Sequence, residues 1–358
     1  MYKSLRAQTL HYFARPQAEI RRAPLDVPAA WRGDELRQDT SWTCTLEPDD
    51  IAELNAALKH AQASGKPTGR LGQADFPLPR LHRKISAWRD EVRHGRGFVR
   101  VRGLPVDTWS ASESETVYWC IGQHLGLPGA QNPQGDLLGH VRDQRTGEDV
   151  RLYRTSHGID VHTDAADIVG LLCLKSAKSG GLSRLVSSVT VYNEILKRHP
   201  DKIERLYRPF YFDTKGEGGI RAFPIAPCAY ADGELRTFWQ SDYYRSAERV
   251  PGVPPLSDAD RAVLDAYEAI ANDPALYLDM ELAPGDMQLV SNHTILHART
   301  AFEDWPEPER RRHLLRLWIS LPERRPLRNR WLTARSWLNV TFTAARQLVR
   351  GRLATSAS

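Results

Sequence analysis

The sequence predicts an α+β protein with a β-sandwich or barrel core dressed with helices. Short strand-like runs bounded by Gly, Pro, Asn and Asp recur through the chain, one long helix stands between them, and no segment repeats internally. With 358 residues, 41% of them hydrophobic, the chain can bury a sizeable core. Its mean hydropathy of −0.50 is that of an ordinary soluble globular protein. No run approaches the roughly 18 apolar residues of a membrane-spanning helix, so no transmembrane segment is expected.

Residues 1–45 carry scattered charges and prolines and lead into the fold. Met1 to Ala18 lacks acids and carries Lys3, Arg6 and Arg15. A presequence would look similar, but serine is sparse there, and a surface segment of a cytoplasmic protein is the preferred reading. Leu46 to Ile51 starts a helix, with acids in its first turn ahead of Ile51, Leu54 and Leu58. A second helix follows Pro77 to Pro79 and places Leu81, Ile85, Trp88 and Val92 on one face. Gly97 to Pro105 reads as a strand. Ser110-Ala-Ser-Glu113 has capping-box spacing and opens a helix to Gly126. Gly129 to Arg151 is polar and Gly-rich, hence loop.

Ile168 to Leu174 is a nearly continuous apolar strand, Ser179-Gly-Gly181 turns the chain, Ser183 to Val189 returns, and Val191 to Arg198 is helical. Segment 207–250 mixes many aromatics with glycines and prolines, which suits hairpins and a mobile loop. Leu256 to Ala271 is a helix opened by Ser257-Asp-Ala-Asp260. Tyr277 to Leu282 is a strand, Pro284-Gly-Asp286 a turn into a strand at Met287 to Ser291, and Arg312 to Leu321 a final strand.

The net charge of +5 is small for this length, so no nucleic-acid partner is expected. Cys44, Cys120, Cys173 and Cys228 stand far apart without a C-x-x-C pair, which fits reduced thiols and a cytoplasmic location. The tail after Pro322 alternates arginines with Trp331, Leu332, Trp337, Leu338, Phe342 and Leu348. Such a basic amphipathic stretch packs on its own domain, forms a homo-oligomer contact, or lies on a membrane surface.

Chemistry concentrates in three places. His162-Thr-Asp164 puts an imidazole and a carboxylate on one side of an extended segment, where two such donors can grip one metal ion. His157 with Asp160 and Asp160 with His162 are competing pairs. A third donor must come from elsewhere, and His297 is the best candidate. His293 and His297 have zincin spacing, but Thr294 occupies the place of the required glutamate, so a metalloprotease is excluded. Two His and one carboxylate suit non-haem Fe(II). Finally, Arg312 and Arg316 share one face of an otherwise apolar strand and need partners, either an internal acid or an anionic cosubstrate.

The ordered set His162-Thr-Asp164, Ser179-Gly-Gly-Leu-Ser183, Pro284-Gly-Asp286, Asn292-His-Thr-Ile-Leu-His-Ala-Arg-Thr300 and Arg311-Arg-His-Leu-Leu-Arg316 resembles the TauD/TfdA-like (taurine dioxygenase) branch of Fe(II)/2-oxoglutarate-dependent oxygenases. The resemblance covers residues 95–320. It implies a double-stranded β-helix (jelly roll) with flanking helices, and His162, Asp164 and His297 as iron ligands. It also implies that Arg312 and the hydroxyl of Ser183 contact 2-oxoglutarate, with Arg316 nearer the iron or the substrate. Relatives carry G-G-D-T where this chain has Gly180-Gly-Leu-Ser183, and Ser keeps the hydroxyl. The implied reaction consumes O2, releases succinate and CO2, and hydroxylates or desaturates a C–H bond of a small-molecule substrate. On this reading residues 1–95 are a helical lead-in, 96–321 the oxygenase domain with an insertion at 207–250, and 322–358 the tail. Segments 129–158 and 207–250 are the expected pocket walls, with Tyr153, Arg154, Tyr243, Tyr244 and Arg245 as candidates. The alternatives are a catalytically silent jelly-roll binding protein and a tail-dependent membrane- or nucleic-acid-associated protein.

Overall fold

Two sheets share an apolar interior in the computed structural model, which describes residues 2–143, 156–216 and 221–322. In chain order the strands are β1 (Thr43–Thr45), β2 (Phe98–Arg102), β3 (Leu127–Gly129), β4 (Gly139–Val141), β5 (Ile159–His162) and β6 (Ile168–Lys175). Then follow β7 (Ser179–Gly180), β8 (Ser183–Ser187), β9 (Phe210–Asp213), β10 (Ala222–Ile225), β11 (Cys228–Ala231) and β12 (Glu234–Thr237). The last are β13 (Tyr277–Met280), β14 (Met287–Ser291), β15 (Ile295–Arg299), β16 (Phe302–Glu303) and β17 (His313–Ser320).

The larger, seven-stranded sheet has the order β1-β2-β14-β6-β17-β3, with β4 also paired to β17; the smaller, four-stranded one has the order β13-β8-β15-β5. The chain crosses between them repeatedly, β5 to β6 to β8 and later β13 to β14 to β15 to β17. That winding is a double-stranded β-helix.

Layering explains the sequence pattern. The outer face of the large sheet is covered by helices Pro48–Ala63, Leu81–His94 and Ala111–Leu125, which pack on Val99, Val101, Leu172, Leu289, Leu315, Leu317 and Ile319. Its inner face presents Phe98, Val169, Cys173, Val290, Leu314 and Trp318 toward Leu185, Leu278 and Ile295 of the small sheet. A strand buried on both faces has no solvent side to mark with polar residues, so β6 and β17 read as nearly continuous apolar runs. Helix starts follow local chemistry: reciprocal capping boxes form at Ser110 and Glu113 and at Ser257 and Asp260, while at helix Pro48–Ala63 the Glu47 amide donates to the Asp50 side chain. Such N-caps are worth about 1 kcal/mol each.

Three expectations change. The polar stretch after Gly129 contains β4, which adds to β17. Residues 2–18 are a surface segment only in part: Tyr2, Arg6 and Leu10 are exposed, but helix Leu5–Phe13 buries Gln8 and Tyr12 completely, and buried Arg15 donates to the carbonyls of Ala226 and Pro227. Segment 207–250 does form hairpins (β9 with β10, β11 with β12) and a short helix Ser241–Ser246, and five of its ten aromatics are core. Phe210, Tyr230, Phe238, Trp239 and Tyr244 are buried with Val186 and Leu296 of the small sheet and with Tyr267 of helix Asp258–Ala271. Trp239 stacks on Tyr267 with ring centroids 3.8 Å apart. Residues 217–220 of this segment, Tyr153, Arg154 and the tail from 323 lie outside the described residues.

Asp167 ties the N-terminal helix to the core. Its carboxylate, 3% exposed, accepts from His11 Nε2 at 2.7 Å, His293 Nε2 at 2.8 Å and the Leu321 amide at 2.7 Å. Burial opposes its ionisation, but the His11 and His293 hydrogen bonds win and hold it well below the usual carboxylate range. A depressed carboxyl contributes stability above its unfolded value of about 3.9, lost as the pH falls below that. Asp167→Asn should therefore lower stability at neutral pH by roughly 1.5–3 kcal/mol, the worth of a charged hydrogen bond. In urea titrations the gap from wild type should close as the pH is lowered through 4; a gap that stays constant would contradict this role.

Candidate metal centre and anion pocket

His162 ends β5 and pairs directly with His297 of β15, so two imidazoles meet across one ladder on the inward face. Their ring centroids lie 4.3 Å apart. Asp164 follows β5 after one residue and completes the set: its Oδ1 is 3.9 Å from His162 Nε2 and its Oδ2 3.7 Å from His297 Nε2. One ligand atom from each of the three residues lies within 4.8 Å of the others.

The backbone around this cluster is fixed from several sides. Thr163 donates its amide to the Trp239 carbonyl, and the Trp239 amide donates back to Thr163 Oγ1. The aromatic hairpin segment thus braces the site from behind. The Asp164 amide donates to Asn292 Oδ1. His162 Nδ1 donates to the Asp160 carbonyl at 2.8 Å, which fixes the tautomer and leaves the Nε2 lone pair for the cluster. Trp318 Nε1 donates to Asp164 Oδ2 at 2.9 Å, and Arg316 Nη1 stands 3.9 Å from the same oxygen. Burial and the adjacent His297 ring push His162 down to about 4. Burial alone would raise Asp164, yet the His297 hydrogen bond and Arg316 hold it far below the ordinary range. An ionised carboxylate beside two imidazoles, with His162 kept neutral, is the donor set a divalent ion requires, so the residues fit a metal.

His293 is elsewhere. It lies before β15, bonds Asp167 and stacks on Tyr12 at 4.8 Å. A cavity of about 220 Å³ bordered by Leu25, Val92, Leu235, His293 and Leu321 lies on that side, with none of the three clustered residues in its lining.

Arg312 lies one residue before β17, 5% exposed, and its Nη1 has no hydrogen-bond partner among the described residues. Its Nη2 reaches only the Gly181 carbonyl at 3.5 Å, and among the described residues no carboxylate forms an ion pair with it. The nearby Asp304 spends its Oδ1 on the Arg312 amide. A buried guanidinium in this state fits an incoming carboxylate. The Gly-Gly turn makes room for it: Gly181 has φ +69, and a Cβ there would sit 3.0 Å from Arg312 Nε. Ser183 begins β8, is 6% exposed, and donates its hydroxyl to Gln288 Oε1 of β14. Arg316 donates Nε to Gln131 Oε1 at 2.7 Å, while Gln131 Nε2 donates to the Arg316 carbonyl. Gln131, Gln288 and Trp318 carry no local sequence signal that marks them for the site. Arg245 belongs outside the site, because Asp265 and Glu268 hold it at 2.6 and 3.0 Å.

The profile of the family described as "Taurine catabolism dioxygenase TauD, TfdA family" matches residues 63–318. The chain belongs to that family. Among curated TauD/TfdA relatives, FR-33289 synthase of Streptomyces rubellomurinus is 32% identical over 318 residues, covering 85% of this chain and 92% of the relative. A taurine hydroxylase-like protein of Stachybotrys chartarum is 30% identical over 313 residues, 82% of this chain and 79% of its own. A solved asparagine oxygenase in complex with Fe(II), 3-hydroxyasparagine and succinate superposes with a TM-score of 0.64 at 18% identity, covering 78% of this chain and 94% of that one. This TauD/TfdA protein is thus an Fe(II)/2-oxoglutarate-dependent oxygenase built on the jelly roll. Among the described residues no helix is long and apolar enough to cross a membrane.

Proposed function

We propose that His162, Asp164 and His297 hold the Fe(II), that Arg312 and Ser183 receive the far carboxylate of 2-oxoglutarate, and that a C–H bond of a small organic substrate is oxidised beside the metal. The observation that carries this reading is the three-residue cluster within 4.8 Å together with a buried, unpaired Arg312 Nη1 in the same interior. Bound iron would supply O2 activation coupled to decarboxylation of 2-oxoglutarate to succinate and CO2.

The protein's own work is positional. The Asp160 carbonyl presents His162 Nε2, Trp318 and Arg316 aim the Asp164 carboxylate, and Gln131 fixes Arg316. Apolar Val169, Leu185 and Leu314 around the interior keep water from the site. Residues 96–321 form the proposed oxygenase domain, flanked by 1–95 and 322–358. The free state of Cys44, Cys120, Cys173 and Cys228 supports a cytoplasmic location.

The test is anaerobic Fe(II) titration followed by succinate measurement over a panel of small acids. Binding of about one iron per chain and succinate release that needs both 2-oxoglutarate and O2 are expected. Absence of both metal binding and succinate would return the chain to a silent jelly roll.

A further inference from the structure

Tyr12 lies well before residue 63, where the family match begins, yet it is fully buried among the segments that carry the metal cluster. Its hydroxyl donates at 2.8 Å to the carbonyl of Asn292 and reaches that of Thr237 at 3.3 Å. Its ring stacks on His293. Burial raises the phenol far above its ordinary value, outweighing Arg15 and the Thr163 hydroxyl, which lower it. A phenol kept protonated has one O–H, so Tyr12 is a fixed donor. Asn292, also fully buried, joins β14 to β15. Its amide donates to the Asp167 carbonyl, its carbonyl accepts from Tyr12, and its Oδ1 accepts from the Asp164 amide at 2.9 Å. Two hydrogen bonds therefore connect the N-terminal helix to a carboxylate of the metal cluster.

We propose that Tyr12 is a positioning residue of the iron site, holding Asp164 in place through Asn292. The inference rests on the ligand reading above. The Asp164 oxygens stand 3.9 and 3.7 Å from the His162 and His297 nitrogens, so a small shift of its backbone decides whether one ion can touch all three residues. Groups that hold a ligand in place control metal affinity for this reason. Deleting the Tyr12 hydroxyl would leave the buried Asn292 carbonyl without its donor and free that residue to move. The competing role is structural: Tyr12 only anchors helix Leu5–Phe13, as His11 does through Asp167.

The experiment is titration of the metal-free protein under argon with Fe(II) and, separately, with Co(II), whose visible spectrum reports ligand geometry. Tyr12→Phe keeps the ring and its packing and deletes only the O–H. It should weaken Fe(II) roughly two- to ten-fold, the range one hydrogen bond commands, and shift the Co(II) spectrum. His11→Ala cuts the other anchor of the same helix, and it should lower the melting temperature while iron affinity and Co(II) spectrum stay as in wild type. Asn292→Ala breaks the link to Asp164 itself and should weaken iron at least as much as Tyr12→Phe. The double variant should then bind no more weakly than Asn292→Ala alone. Wild-type metal affinity and spectrum in Tyr12→Phe would overturn the proposal. So would additive losses in the double variant, or an equal loss of iron in His11→Ala. Wild-type iron binding by Asp164→Ala would instead bring down the ligand reading itself.

Discussion

Arg312→Gln is expected to leave Fe(II) binding intact while 2-oxoglutarate affinity falls roughly ten- to 150-fold, the equivalent of a charge-assisted hydrogen bond worth about 1.5–3 kcal/mol. The side chain is buried, its Nη1 has no partner among the described residues, and its Nη2 makes one long contact to Gly181. An arginine paired to an internal acid would behave differently, since removing it would strand the acid and lower stability by several kcal/mol. Here no such acid is paired among the described residues, so glutamine should relieve an uncompensated charge and leave the melting temperature nearly unchanged. Arg312→Lys should fall between wild type and glutamine, because the ammonium keeps the charge and loses the planar fork. Arg316→Gln should do something else. Arg316 stands 3.9 Å from Asp164 and is held by Gln131, so its loss should reach the metal end and depress turnover more than cosubstrate affinity. Calorimetry of 2-oxoglutarate binding on folded variants distinguishes the two. An Arg312→Gln protein that melts early but binds 2-oxoglutarate normally would end the assignment.

How far the sequence reveals the site depends on the range of each interaction. The pair His162 and Asp164 is visible because period-two geometry is local, and β5 ends where that reading needs an extended chain. The choice between His293 and His297 was harder, since spacing allowed either. It is decided in space by register: His297 sits opposite His162, while His293 lies before the strand and turns to Asp167. Nothing within the local sequence announces Asp167, whose donors His11, His293 and Leu321 come from three distant segments. Gln131 and Trp318 are hidden for the same reason.

The aromatic segment misled in the opposite direction. Dense Phe, Tyr and Trp suggest a binding wall, but the outer face of the small sheet also has to be covered, and aromatics bury the most area per residue. Helix Asp258–Ala271 supplies the acids that hold Arg245, a pairing that no spacing within 207–250 could show. The strand and helix framework was more legible, because continuous apolar runs and capping boxes are local signals that tertiary context reinforces.

Removing any one of His162, Asp164 or His297 is expected to have the largest effect of all, taking iron occupancy from about one per chain to near zero and abolishing succinate release. The three donors sit on two elements, with His162 and His297 facing each other across the β5–β15 ladder and Asp164 held by Trp318 and Arg316. Alanine at any of them leaves two donors, too few to retain a labile divalent ion. Substituting either histidine should cost little stability in the metal-free protein, since neither is a principal core residue. Asp164→Ala should lower the melting temperature, because it removes the acceptor of the Trp318 N–H and the carboxylate that faces the Arg316 charge. Trp318→Phe preserves packing but deletes the N–H that holds Asp164, so it should weaken iron by about ten- to 100-fold without abolishing binding. His293→Ala is the informative control. Its ring bonds Asp167 and stacks on Tyr12, remote from the cluster, so it should lower the melting temperature while iron still binds at about one per chain. Iron titration under argon with parallel melting curves separates these outcomes: a His293→Ala protein that loses iron while His297→Ala keeps it would reverse the assignment of the third ligand.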